Sequence, residues 1–301
     1  IGYPIDGISQ NKLSPSSNVI LGRTMPKVSV VTSVYNGEVF IEQCVRSILG
    51  QTFRDFEFII LNNGSTDRTA QILNQLRDPR LRIIHQENLG VTRSLDKGVR
   101  MARADLIARL DADDYSFPNR LGRQVDFMDR NLDYVLCGSR FLELIDDKIS
   151  PQRVPFVEND ENIRSILSCY NPFAHSAMMF RKQSFIDAGG YDEQFTFGID
   201  YDLWIRILQT GKGYILEDEL TIIRLSAESM SFQNSRKQKL EGLSLRWRAF
   251  NNFGGNPLKV TLLFLKSVLG LIFPLSIRFQ RAGAHKKKSF TASILSRLER
   301  M

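Results

Sequence analysis

Between residues 27 and 137, short apolar runs rich in β-branched residues alternate with amphipathic segments of helical period. Strands are expected at 28–34, 56–61, 81–84, 106–110 and 134–137, and helices at 38–49, 67–76, 92–103 and 117–130. Strands apolar along their whole length are covered on both faces, and strand–helix–strand repeats favour parallel pairing. The expected architecture is therefore α/β, a mostly parallel sheet flanked by helices. At 301 residues, 43% hydrophobic and 10% aromatic, the chain can bury a full core, which excludes disordered and fibrous classes. Residues 141–225 are mixed, with a strand near 176–180 and helices at 183–188 and 201–209.

Open sheets of this kind bind ligands beyond the carboxyl ends of their strands. The first strand runs into Ser33-Val34-Tyr35-Asn36-Gly37, the second into Asn62-Asn63-Gly64-Ser65-Thr66-Asp67, and the fourth into Asp111-Ala112-Asp113-Asp114. The second loop reads either as a turn with Ser65 or Asp67 capping the next helix, or as part of a site. Three carboxylates within four residues repel one another. Either a hard cation such as Mg²⁺ or Mn²⁺, its shell completed by phosphate oxygens, offsets that repulsion, or the acids form a solvated turn. No G-x-G-x-x-G, G-x-x-x-x-G-K-[ST] or G-x-S-x-G occurs, so those phosphate cradles and the serine elbow are excluded. Downstream, Asp200 and Asp202 would diverge by about 200° on a helix. They read either as acids complementing a helix N-terminus or as the source of a general base.

Charge divides the chain unevenly. Residues 232–301 hold fourteen Lys and Arg against two acids, so they carry +12 of the net +7 and residues 1–231 carry −5. The segment 260–277 is apolar along a wide helical arc, with Lys259, Lys266, Ser267 and Gly270 to one side, and Arg278, Arg281 and Lys286–Lys288 follow. That pattern fits attachment in the plane of an anionic membrane, and also a packed helical extension; a central Lys makes a poor spanning helix. Leu240, Leu243, Trp247 and Phe250 are expected to form one apolar stripe. Aromatics are too sparse in the tail for nucleic-acid stacking, so nucleic acid is not expected as a partner. Cys44, Cys137 and Cys169 are far apart and odd in number, which suits a reducing compartment, and no secretory pattern opens the sequence. The expected divisions are an N-terminal arm (1–25), an α/β domain (26–231) and a basic helical extension (232–301).

Six segments in order, VSVVTSVYNGE, QTFRDFEFIILNNGSTDRT, LIARLDADDYSFPNRLGRQ, HSAMMFRK, AGGYDEQF and IDYDLWIRI, together resemble the family 2 glycosyltransferases of GT-A fold, in particular bacterial enzymes building surface polysaccharides. The resemblance covers about residues 27–225. It implies transfer of a sugar from a nucleotide-sugar, a UDP-sugar foremost, to a glycan or lipid-linked acceptor on the cytoplasmic face of the cell membrane. Ser33, Tyr35, Asn62 and Asn63 would hold the nucleobase and ribose, and Arg93 would lie near the nucleotide. Asp111 and Asp113 would form the DxD element, with Asp113, helped by Asp114, on a divalent Mg²⁺ or Mn²⁺. Asp200 would be the base of an inverting transfer. Three departures stand out: Asn62-Asn63 replaces the usual acids, Ile199 stands where a Glu precedes the base, and Ser226 stands near a usual His. They favour, as an alternative, a catalytically weak nucleotide-sugar binding protein. His175 and His85 are expected to be mainly structural.

Overall fold

The computed structural model describes residues 19–20, 23–225 and 236–272. Most of the expected arm, Ser226 and the Lys286–Lys288 run lie outside the described residues. A short antiparallel pair, β1 (Val19–Ile20) and β2 (Arg23–Thr24), precedes the main sheet. β3 (Val28–Val34), β4 (Phe56–Asn63), β5 (Leu81–Gln86) and β6 (Leu106–Arg109) follow, in spatial order β5-β4-β3-β6 and all parallel. Between them come α1 (Ile41–Leu49), α2 (Thr69–Gln75) and α3 (Val91–Met101). This block matches the alternation in the sequence, to within a few residues at each boundary.

The second half departs from a uniform parallel sheet. Residues Tyr115–Ser116 form β7, and α4 begins at Arg120, three residues after the expected start at 117, and runs to Arg130. β8 (Tyr134–Ile145) is much longer than the expected 134–137 and is joined at its far end by β9 (Lys148–Pro151). α5 (Asp160–Leu167), a short 3₁₀ turn at His175–Ala177, β10 (Met179–Arg181), α6 (Lys182–Asp187), α7 (Ile199–Ile207) and β11 (Lys212–Arg224) complete the domain. β10 is antiparallel to both β6 and β8, and β11 is parallel to β8. All six long strands therefore point the same way, and their carboxyl ends share one edge.

Alternation along β3 divides the core. Val31 faces the cluster that contains Leu95, Val99 and Trp204, whereas Val28 and Val30 face the cluster of Ile41, Val45 and Leu121 on the other side. Gly98 lets α3 lie close to the sheet, because a Cβ there would sit 2.6 Å from Val31 Cγ1 and 2.7 Å from Leu61 Cδ1. Such an approach is open only to glycine.

α8 (Arg236–Phe253) and α9 (Pro257–Ile272) are separated by Gly254 and Gly255, both at positive φ. Leu245 and Ala249 of α8 belong to the same core as Trp204. The expected stripe is not the packed face: Leu243 is buried, but Leu240 and Trp247 are 49% and 55% exposed. Polar contacts of Glu241 and Arg248 with the body turn the helix toward Leu245 and Ala249 instead.

Candidate active site

The loops after β3 and β4 are knitted together. Asn36 N–H donates to Ser65 Oγ at 3.0 Å, Thr66 N–H to Asn36 Oδ1 at 2.8 Å, and Glu38 N–H to Asp67 Oδ2 at 3.0 Å. Asn62 and Asn63 are both buried. Asn62 donates to His85 Nδ1 at 2.9 Å and accepts from Ser65 N–H. Asn63 accepts from Gln86 Nε2 and from Leu89 N–H, and donates to Asn88 Oδ1. Their amides hold the turn and the strand ends together. His85, bonded also to Asn74, is structural as expected. Ser33 lies half-buried near the end of β3, and beyond it the Tyr35 ring is 53% exposed.

The acidic turn after β6 stands on two buried guanidiniums that the sequence reading passed over. Arg109 donates to Val31 O, Leu110 O and Asp111 Oδ1. Arg120 donates to Arg109 O at 2.7 Å and to Met178 O at 3.1 Å. A lone Arg inside the apolar run LIARL was the available signal. Asp111 also accepts from Ser176 Oγ at 3.0 Å. Burial pushes its carboxyl up, but the Arg109 charge and the Ser176 bond outweigh this and hold it below the usual range. Asp114 is buried and accepts Arg224 N–H at 2.8 Å, and burial with the charges of Asp113 and Asp111 raises it well above the carboxylate range. Asp113 is less buried; burial and the Asp111 charge push it up to about 6. Arg224 also spans to Asp113 O and lies over the Phe40 ring, 4.2 Å from its centroid.

Behind this turn is a cavity of about 540 Å³. Asp111, Asp114 and His175 line it together with Asp200 and Tyr201 of α7. Asp200 accepts Asn171 Nδ2–H at 3.0 Å, and burial pushes its carboxyl up to about 6. Asp202 diverges as expected: it is fully buried and paired with Arg206. Ile199 is buried in the core, so the position before Asp200 offers no carboxylate to the cavity. His175 is bonded to Tyr191 OH at 2.7 Å, and burial, with the Arg109 charge behind it, pushes its ring down to about 3, so it is neutral at neutral pH.

Arg93 is not brought to this cavity. It pairs with Glu193 at 2.7 Å and lines a separate hollow of about 380 Å³ with Lys97, Arg100 and Tyr191. One cavity thus gathers Asp111 and Asp114 of the turn after β6 and Asp200 of α7, with Asp113 in the same turn but outside the lining. Ser33, Asn62 and Asn63 lie at the ends of β3 and β4, and Tyr35 just beyond β3.

Strands with a common carboxyl edge, an acidic turn at that edge and a cavity behind it define the GT-A class of transferases. A family profile described as glycosyl transferase family 2 matches residues 29–189. The amylovoran biosynthesis glycosyltransferase AmsE of Erwinia amylovora is 30% identical over 67% of this chain and 78% of its own length. The O-antigen biosynthesis glycosyltransferase WbnJ of Escherichia coli is 34% identical over 62% of this chain and 73% of its own. Among solved structures, S. aureus TarS 1–349 in complex with UDP-GlcNAc superposes with a TM-score of 0.66 at 18% identity, covering 84% of this chain and 76% of that one. The mannosyltransferase PcManGT of Pyrobaculum calidifontis, in complex with GDP-Man and Mn²⁺, gives 0.53 at 15% identity over 83% and 82%. The chain belongs to glycosyl transferase family 2, and it is a glycosyltransferase.

Proposed function

We propose that this enzyme moves a sugar from a nucleotide-sugar donor to a glycan or lipid-linked acceptor in cell-surface polysaccharide synthesis, with inversion and with Asp200 as the base. The observation that carries this reading is that one cavity is lined by Asp111, Asp114 and Asp200 together. The exposed Tyr35 ring and Ser33 stand at the end of β3, where a nucleobase and ribose can be held. Asn62 and Asn63 act there through the loop they fix. The names of the relatives AmsE and WbnJ support the polysaccharide setting, and UDP-sugars are the first donors to test.

The acidic turn suits a hard divalent cation, Mg²⁺ or Mn²⁺. Burial and the Asp111 charge raise the affinity of Asp113 for a proton, and burial with the charges of Asp113 and Asp111 raises that of Asp114, a penalty that positive charge relieves. Among the described residues no three metal-ligating side chains converge, so the protein would supply one or two ligands and leave room for diphosphate oxygens. Such a cation, when bound, neutralises charge on the leaving diphosphate. Asp200, oriented by Asn171, takes the proton of the acceptor hydroxyl. The acceptor oxygen then bonds to the anomeric carbon as the bond to the diphosphate breaks on the opposite face. A carboxyl near 6 is matched to that task at neutral pH.

The same proposal places the enzyme on an anionic membrane surface. Leu258, Leu262 and Leu265 recur at one helical face of α9 and are 70%, 58% and 52% exposed, with Lys259 and Lys266 beside them. The opposite face meets α8, where Ser267 accepts Arg246 Nη1–H at 3.1 Å and Val260 is buried. Among the described residues no helix is long and apolar enough to cross a membrane.

Turnover of UDP-, GDP- and dTDP-sugars with Mn²⁺, read by nucleotide release and product mass, tests the transferase reading. Transfer that survives Asp200→Asn and Asp113→Ala would sink the assigned roles, whereas nucleotide binding without turnover would favour the binding-protein alternative. Replacing Leu258, Leu262 and Leu265 together by Ser should release the protein from phosphatidylglycerol vesicles; unchanged sedimentation refutes the membrane face.

A further inference from the structure

We infer that the C-terminal extension is a working part of the active site, with Glu241 of α8 as a positioning residue for Asp200. The inference rests on the reading of Asp200 as the base.

Asp200 is the second residue of α7, so its direction is set by how the chain enters that helix. The first amides of a helix have no carbonyl partner within it. Here the residue at the helix entrance is Gly198, which has no side chain to cap them. Glu241, on another helix, caps the Gly198 N–H and the two amides that precede it. Its carboxylate is 8% exposed and accepts Thr196 N–H at 3.0 Å, Phe197 N–H at 2.8 Å and Gly198 N–H at 3.3 Å. A carboxylate buried to this degree is costly unless its oxygens are matched by donors. Three backbone donors supply that match, and they fix the turn from which Asp200 projects.

A second attachment lies just past Asp200. Asp202 is fully buried and is shared by Arg206 of α7, at 2.9 Å from Nε, and Arg248 of α8. α8 thus grips the chain on both sides of Asp200. The fit between them is close: a Cβ at Gly198 would come 2.3 Å from Leu245 Cδ1. The same face of α8 also borders the substrate space, since Gln238, Glu241, Gly242 and Leu245, at helical spacing, line the cavity that holds Asp200. α8 therefore has two faces: one lines the cavity, and the other leaves Leu240 and Trp247 exposed.

The test compares the full chain with its Glu241→Ala, Glu241→Gln and Asp200→Asn variants. Sugar turnover uses whichever donor of the UDP-, GDP- and dTDP-sugar panel the wild type consumes. In Glu241→Ala, kcat should fall roughly 10- to 100-fold, the loss expected when a reacting group is misplaced by about 1 Å. Glu241→Gln keeps one acceptor oxygen and should lie between the two. The Kd for the corresponding nucleoside diphosphate, measured by calorimetry, should stay within about twofold, because the acidic turn and the β3 and β4 loops are untouched. Amide exchange at residues 196–202 should quicken while β3 and β4 stay protected. Unchanged kcat overturns the inference, as does a parallel fall in kcat and nucleotide affinity, which marks a general loss of structure. Unchanged exchange overturns the cap itself. A wild type that consumes no donor sinks the transferase reading, and the exchange result still tells the two failures apart.

Discussion

The turn after β4 and the turn after β6 end neighbouring parts of one parallel block, yet they treat their polar side chains in opposite ways. At the first, Asn62, Asn63 and Asp67 are matched by partners within the protein. Burial pushes the Asp67 carboxyl up, but its bonds to Thr69 and to Glu38 N–H outweigh this and hold it below the usual range. At the second, Asp111 is matched by Arg109 and Ser176, but burial and the charges of neighbouring carboxylates push Asp113 and Asp114 up, and burial pushes Asp200 of α7 up as well. One turn is organised for stability. The other holds carboxylates at a cost to the fold, a pattern characteristic of sites that do chemistry.

The comparison breaks most visibly in activity. Asp200→Asn should lower sugar transfer by roughly 10²-fold or more, the contribution of a positioned base, with nucleotide affinity retained. The base must be unprotonated to act. Wild-type turnover should therefore climb with pH toward a plateau above about 6, losing about tenfold per unit on the acid side. A pH–rate profile that stays flat from 5 to 8 would remove Asp200 from that role.

The contrast between the two turns was only partly legible in the sequence. β-branched runs fixed β3, β4 and β6 because those strands are buried on both faces, and the opposed directions of Asp200 and Asp202 followed from helix geometry alone. Asn62 and Asn63 are ambiguous in sequence, because an amide at a strand end looks the same whether it faces a ligand or braces a loop. What decides is His85 and Leu89, more than twenty residues away in sequence. Arg93 is drawn to Glu193, a partner a hundred residues on. α5 was missed because Ile163 and Leu167 are its only buried residues, and its start depends on the Asn159 cap to Asn162 N–H. Glu241 left a faint signal as one of two acids in a stretch with fourteen cations. Its role as a cap in another helix needs the fold.

Asn63→Ala sharpens the claim that the first turn is scaffolding. It removes the acceptor of two donors in a buried setting, and should cost about 1–3 kcal/mol in urea unfolding. A side chain that served only a nucleobase would instead leave stability unchanged and weaken nucleotide binding.

The two turns should also respond oppositely to pH. Asp113 has a folded value raised to about 6 from an ordinary 3.8. The folded state therefore holds its proton more tightly, and stability falls as pH rises between those values, then levels off. Asp113→Asn, measured without added metal, removes that penalty. The variant should be more stable than wild type by roughly 1 kcal/mol at pH 7 and equal to it near pH 3.

Asp67 gives the mirror image, with an effect of similar size and opposite sign. Its folded value is depressed, so its contribution is present above the unfolded value near 3.8 and is lost as pH falls through the lower folded one. One oxygen accepts Thr69 N–H at 3.0 Å at the start of α2, and the other accepts Glu38 N–H at 3.0 Å from the neighbouring loop. An amide in its place keeps one acceptor, but loses the charge that complements the helix N-terminus and the second bond. Asp67→Asn should therefore cost about 1 kcal/mol at pH 7, with the gap to wild type closing as the pH is lowered below 4. Urea midpoints of both variants at pH 7 and pH 3 decide the matter. If Asp113→Asn and Asp67→Asn shift stability in the same direction at pH 7, the two turns do not differ in the way their hydrogen bonds and charges require.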